Sequence, residues 1–193
     1  MVRTMREEPG GGPPPNGTFP GGDAENISLK DGTALHLRPI RAEDEAGLLA
    51  LYDRLSAESL HFRFFAVPEK DAGKAAYLSH VDYDRRYAIV AERAGALVGV
   101  ARWERLAERP GHAEVAFTVA DDFQGRGLGG ILFRRLAALA RARGITVFEA
   151  EVLENNERMR RVFESTGLAT ETRGQGNVLT ILLTLGPPSG TPA

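Results

Sequence analysis

The sequence has no cysteine, and that one absence removes several chemistries together. Disulfides, a thiolate nucleophile and zinc–thiolate sites are all excluded. Histidine is scarce, and His36, His61, His80 and His112 lack the short spacing of a metal-binding pair, so no metal is expected. Charge of one sign is lacking too. A formal net charge of −2 argues against nucleic-acid binding, which needs a clustered Lys/Arg surface. No apolar run is long enough to span a bilayer, and the charged N-terminus has no apolar signal-peptide core. No membrane partner is expected, and a cytoplasmic location is the default. What remains is ordinary for a globular protein. Of 193 residues, 42% are apolar and 26% charged, which suggests one domain with tails.

The tails are legible from composition. Met1–Asn26 holds five Pro and six Gly and almost nothing apolar to offset the entropy of ordering it. Gly186–Ala193 reads the same way, so both are expected to be disordered and residues 27–185 to form the folded domain. Thr33–Arg38 alternates as a strand ended by Pro39. Helices are predicted at about Arg41–Leu55, Ala57–Phe65 and Lys70–Ser79, followed by strands Tyr87–Glu92 and Ala96–Trp103 around the turn Arg93-Ala94-Gly95. A strand Glu114–Val119 precedes a long amphipathic helix, Gly127–Arg143, with Leu128, Ile131, Leu132, Leu136 and Leu139 on one face and Gly144 closing it. Strand Thr146–Leu153, helix Glu157–Thr166 stopped by Gly167, and strands Ala169–Arg173 and Asn177–Thr184 complete the chain. This order describes an α/β (α+β) fold, a mixed sheet with helices on its faces.

The informative segment runs from Val119 to Gly130, where a strand enters a turn with four glycines in six residues and a helix begins inside that turn. Glycine lets the main chain come close to a ligand and adopt positive φ. The unpaired N–H groups of the helix's first turn then face outward beside the positive end of its dipole, a site for a pyrophosphate. Arg126 adds a charge that can reach a phosphate oxygen. Two other readings compete. The glycines can simply pack helix on strand. Alternatively, Gly125-Arg126-Gly127-Leu128-Gly129-Gly130 satisfies the dinucleotide fingerprint G-x-G-x-x-G, with Glu149 or Glu151 where a ribose-binding acid belongs. Placement counts against this last one. Ala120–Gln124 separates the strand from the first glycine, and too few residues follow for a doubly wound sheet.

Gln124-Gly125-Arg126-Gly127-Leu128-Gly129 resembles the Q/R-x-x-G-x-G/A acyl-CoA motif of the GNAT (Gcn5-related) N-acetyltransferases. Asn156 to Leu168 resembles the same family's Asn-containing helix, which closes on an aromatic residue before Gly-Phe or Gly-Leu. The resemblance implies a mostly antiparallel sheet of six to seven strands, helices on both faces, and a splay between strands 4 and 5 (Glu114–Val119 and Thr146–Val152). It implies acetyl-CoA as co-substrate. The main chain of Phe117, Thr118 and Val119 is then expected to bond the pantetheine arm. Gln124, Gly125, Arg126, Gly127, Leu128, Gly129 and Gly130 are expected to hold the pyrophosphate, and Asn156 the pantetheine or its neighbouring main chain. By spacing alone, Asn156 equally suits a helix N-cap.

Acetyl transfer to an amine needs the amine neutral, yet a lysine with pKa about 10.4 is deprotonated about once in a thousand at pH 7. A general base is therefore useful. With no cysteine for a thiol acyl-enzyme, direct attack in a ternary complex is favoured, and an outward N–H near Val119 can meet the oxyanion. Glu114 is the candidate base. It shares one strand face with Ala116 and Thr118, and burial beside apolar groups raises a carboxyl's pKa. An ordinary solvated carboxylate is the plainer reading, and Glu149 and Glu151 compete for the role. Many relatives carry Tyr, a general acid, where this chain has Phe163, so no general acid is assigned.

The acceptor is harder to read. Leu55–Phe65 (LSAESLHFRFF), with Leu37–Asp44 and Glu114, resembles the acetyltransferase domain of bacterial protein-lysine acetyltransferases of the Pat type. That resemblance implies a protein partner, acetyl-CoA synthetase or a related acyl-CoA synthetase. For Leu60–Phe65 a core helix with His61 and Arg63 facing water is the alternative. Some relatives carry a further nucleotide-binding or synthetase-like domain; this sequence shows neither, so regulation by that route is not expected. A small-amine acetyltransferase and a non-catalytic acyl-CoA-binding module are the other readings. A monomer and a homodimer both fit.

Overall fold

The computed structural model describes residues 18–64, 72–174 and 176–186. Its strands are β1 (Glu25–Ser28), β2 (Ala34–Pro39), β3 (Arg86–Arg93), β4 (Ala96–Arg105), β5 (His112–Val119), β6 (Val147–Leu153), β7 (Thr170–Arg173) and β8 (Val178–Thr184). The helices are α1 (Glu45–Asp53), α2 (Ala57–Phe64), α3 (Ala72–Ser79), α4 (Leu128–Ala142) and α5 (Glu157–Glu164). One sheet of eight strands runs in the order β1-β2-β3-β4-β5-β6-β8-β7, antiparallel throughout except for β5 with β6. Predicted Phe65 and Lys70–Asp71, and residues 1–17 and 187–193 of the predicted tails, lie outside the described residues.

The eighth strand corrects the expected count of six to seven, and also the expected boundary at Asn26. Glu25–Ser28 pairs with Ala34–Leu37, so the folded part starts before Ile27. Composition misled because this segment is held by polar bonds rather than apolar burial. The Asp23 carboxylate accepts a hydrogen bond from the Tyr87 hydroxyl at 2.6 Å and from Arg143 at 2.7 Å. Tyr87 is fully buried, and its hydroxyl would otherwise lose its hydration without replacement.

The helices take both faces of the sheet. On one face Gly47 of α1 abuts Leu97, Tyr77 of α3 donates to Glu104, and Arg102 donates to the Leu78 carbonyl at the end of α3. On the other, α4 buries Leu128, Leu132, Phe133, Leu136, Ala137, Leu139 and Ala140. Four of the five positions predicted for its apolar stripe are therefore buried, with Ile131 packed at the margin. Gly99 lets α4 lie close to β4, since a Cβ there would meet Leu132 at 3.1 Å. Trp103 stacks on Tyr87 at 4.5 Å, and Phe133 sits among Phe117, Phe148 and Phe163. Such aromatic contacts add about 0.5–1.5 kcal/mol each beyond the area they bury.

The consequential feature is where the sheet opens. β5 and β6 pair only over His112–Glu114 and Val147–Glu149. Beyond that rung β5 stays with β4 as far as Val119, while β6 follows β8 to Leu153. The expected splay is present, and in the eight-strand numbering it lies between β5 and β6.

Candidate functional site

From Val119 the chain makes a single turn at Asp121–Phe123 and passes through Gln124, Gly125, Arg126 and Gly127 into α4. Gly125 has φ 72° and Gly127 φ 89°, the left-handed region that glycine enters without strain. A methyl group built on either would meet nothing within 4 Å, so both face open space. Gly127 is the N-cap of α4, and no side chain caps the helix. The first-turn amides of Leu128, Gly129 and Gly130 are thus left to an external acceptor, at the positive end of a helix of 15 residues. The position of Arg134 was not legible in advance. Its guanidinium lies 3.3 Å from where a Gly130 Cβ would stand, one helical turn along α4, and adds positive charge at the cradle.

Two predicted cradle side chains are engaged elsewhere. Arg126 donates from Nε to Asp31 at 2.7 Å, bonds Thr33 and lies 4.8 Å over the Phe123 ring, so its charge is committed to the β1–β2 turn. Asp31 is held at about 2, well below its usual value, by hydrogen bonds from the Thr33 main chain and side chain and from Arg126. Gln124 ties the walls together. Its amide donates to the Val119 carbonyl at 3.1 Å, the Ser59 hydroxyl at 3.0 Å and Asp121 at 2.8 Å, while its carbonyl accepts from Arg158 of α5 at 2.7 Å. Asp121 also accepts from the Ser56 main-chain N–H at 2.7 Å and the Ser59 hydroxyl at 2.6 Å, fastening the start of α2 to the glycine loop.

Along the splay, Val115–Val119 has no strand neighbour on the β6 side. Alternate residues of an antiparallel strand direct both main-chain groups away from their partner. The open edge past Glu114 therefore presents free N–H and C=O groups, apart from the Val119 carbonyl that Gln124 bonds. The Thr118 hydroxyl is buried without a hydrogen-bond partner. The gap is a cleft of about 510 Å³, partly open to solvent, lined by β5 and β6, by Phe62 and Arg63 of α2, and by Asn156, Met159 and Phe163. Asn156 is buried and caps α5, its Oδ1 accepting from the Met159 N–H at 3.1 Å. Its capping function is thus visible, and its amide also lines the cleft. Arg63 lines the cleft and His61 is exposed.

Four carboxylates gather around the rung where pairing ends. Glu149 is buried and accepts two bonds from Arg109, at 2.7 and 2.8 Å, and one from His112 at 2.7 Å. Glu104 accepts from the Tyr77 hydroxyl. Glu114 and Glu151 line the cleft, and among the described residues neither forms a hydrogen bond or an ion pair. Glu114 is pushed up to about 7, first by burial and then by the charge of Glu151, with Arg63 pulling the other way and Glu104 and Glu149 adding smaller upward pushes. Burial also raises Glu151. A carboxylate raised toward neutrality in a partly apolar cleft is suited to take a proton from a cationic amine. Phe163 is buried against Phe117 and Phe133 and brings no hydroxyl to the cleft.

The sequence profile of the Acetyltransferase (GNAT) family matches residues 50–168. The acetyltransferase Pat of Mycolicibacterium smegmatis is 33% identical over 156 residues, 80% of this chain and 47% of that protein. The chain therefore spans about half the length of this relative. The acetyltransferase PA5475 of Pseudomonas aeruginosa is 38% identical over 128 residues, 64% of this chain and 68% of that one. Among solved structures, the GNAT domain of S. lividans PAT superposes with a TM-score of 0.80 at 32% identity, covering 86% of this chain and 99% of the domain. No group of three or more His, Asp or Glu among the described residues could hold a metal ion, and no helix among them is long and apolar enough to cross a membrane.

Proposed function

This chain belongs to the GNAT acetyltransferase family, and from that premise we propose that it uses acetyl-CoA to acetylate a lysine side-chain amine of a protein. An acyl-CoA synthetase is the proposed target. The observation that carries the mechanism is Glu114, an unpaired carboxylate held near 7 at the point where β5 and β6 part. The target rests on the resemblance of Leu55–Phe65 and Leu37–Asp44 to Pat-type enzymes and on similarity to the Pat relatives.

The residues fit the co-substrate. Open space in front of Gly125 and Gly127, with the free amides of Leu128, Gly129 and Gly130 behind it, suits a diphosphate. The open edge of Phe117–Val119 suits the amides of a pantetheine arm. Acetyl-CoA supplies a thioester carbonyl carbon and a thiolate leaving group. Glu114 takes one proton from the acceptor ammonium, the nitrogen lone pair so freed adds to the thioester carbonyl carbon, the C–S bond breaks, and the second N–H proton passes to the departing thiolate. A thiol with pKa about 8.5 is a good enough leaving group to depart without an acid, consistent with Phe163 in that wall. Phe62 and Arg63 of α2 shape the acceptor's approach, and Asp121 holds α2 to the cofactor loop.

The test is incubation with labelled acetyl-CoA and a purified acyl-CoA synthetase, beside a variant whose active-site lysine is replaced by arginine. Label on the first protein and none on the second is expected. Label on polyamines, aminoglycosides or amino acids alone would replace this target with a small amine. Acetyl-CoA binding without any turnover would remove the catalytic reading.

A further inference from the structure

We propose that Glu151 is an acceptor-binding residue: together with Glu114 it forms a two-carboxylate receptor for one ammonium group, which restricts the acceptor to a cationic amine without an adjoining carboxylate. The inference rests on the cleft being the acetyl-transfer site. Glu114 lies at the last rung of β5 with β6, and Glu151 stands two residues further along β6, beyond the parting of the strands. Both line the same cleft. The other acids near that rung are already neutralised or bonded, Glu149 by Arg109 and His112, and Glu104 by Tyr77. Among the described residues, the side chains of Glu114 and Glu151 have neither a hydrogen bond nor an ion pair.

Two half-buried carboxylates without hydrogen bonds are costly, and a pantetheine arm does not require them. They face a single cation among the residues lining the cleft, Arg63 of α2. With both glutamates ionised, their two negative charges and the one positive charge of Arg63 leave the lining one charge short of neutrality. A lysine ammonium supplies that charge, whereas an amino-acid zwitterion brings a carboxylate that both glutamates repel. The division of labour follows from position. Glu114 takes the proton, while Glu151 holds the ammonium and, by its own charge, keeps the proton affinity of Glu114 high. The groups that face Glu114 are Glu151 and Glu149 from β6, Glu104 from β4 and Arg63 from α2, and Glu151 is the strongest of these influences.

Glu151→Gln, close in shape and unable to ionise, separates these effects. The readouts are kcat and KM for a lysine peptide from pH 5.5 to 9, with the acetyl-CoA Kd measured by calorimetry. We expect KM to rise about tenfold, the value of one charge-assisted contact. The acidic limb of kcat/KM should move to lower pH by roughly half a unit or more as the repulsion on Glu114 is relieved. Acetyl-CoA affinity should stay within about threefold. Glu151→Asp should retain most of the peptide KM, which a purely structural contribution from the longer side chain would not explain. Unchanged KM and an unchanged limb in Glu151→Gln would overturn the inference and leave the proposed function standing. Loss of the limb altogether would make Glu151 the base and overturn it too. A wild-type enzyme that acetylates no lysine would remove the proposed function and this inference with it.

Discussion

Replacing Gly127 by alanine separates the cost of backbone strain from the cost to the cradle. At φ 89° any L-residue other than glycine pays about 1–2 kcal/mol. For a domain of this size that lowers Tm by about 2–8 °C. The new methyl meets no protein atom within 4 Å, so strain is the whole folding cost. It would stand, however, in the open space assigned to the diphosphate, keeping an anion away from one or two amides. Each charge-assisted bond lost is worth about 1.5–3 kcal/mol, so the acetyl-CoA Kd should rise at least about tenfold. Gly144 is the control. It has φ 77°, also meets nothing within 4 Å, and lies just past the opposite end of α4. Gly144→Ala should match the fall in Tm by differential scanning calorimetry and leave the Kd by isothermal titration untouched. Equal acetyl-CoA affinity in Gly127→Ala and Gly144→Ala would refute the cradle.

Further outcomes follow from the same geometry. Glu114→Gln should lower kcat by about 10²–10⁴ and abolish the acidic limb centred near pH 7 in the pH–rate profile, with acetyl-CoA affinity retained; an intact limb would exclude Glu114 as base. Its carboxyl is raised from 4.5 to about 7 in the folded state, so the unfolded chain loses that proton first. Stability therefore falls as pH rises through this window, by up to roughly 3 kcal/mol. Glu114→Gln should accordingly be more stable than wild type at pH 8 and nearly equal at pH 4, and thermal melts at both pH values check this. Asp121→Ala removes the acceptor of the Ser56, Ser59 and Gln124 bonds. It should raise the lysine-peptide KM about tenfold while the acetyl-CoA Kd moves less than about threefold; an unchanged KM would contradict the tie between α2 and the loop. Asp23→Ala should cost about 1–3 kcal/mol by stranding the Tyr87 hydroxyl; a Tm within 1–2 °C of wild type would contradict the early start of the folded part.

What could be read beforehand was local. The apolar stripe of α4, the glycines of its N-terminus and the alternation of β5 are periodic or compositional signals, and each element formed where such signals lie. N-cap chemistry at Asn156 was legible for the same reason. The rest depended on contacts between distant residues. Arg126 is drawn from the cradle by Asp31, 95 residues earlier, and nothing around Arg126 announces it. Glu149 was a rival base until Arg109 and His112, about 40 residues away, proved to hold it. The link from Asp121 to Ser59 spans 62 residues. β1 was missed because a short strand of polar residues, next to a Pro/Gly-rich stretch, carries no apolar alternation for sequence to show.

The most direct test is a crystal structure of the protein with acetyl-CoA. The account predicts the diphosphate against the amides from Gly125 to Gly130, the pantetheine along the open edge of Phe117–Val119, and the thioester within reach of an amine nitrogen bonded to Glu114. Acetyl-CoA bound away from this loop, or a thioester lying far from Glu114, would contradict it.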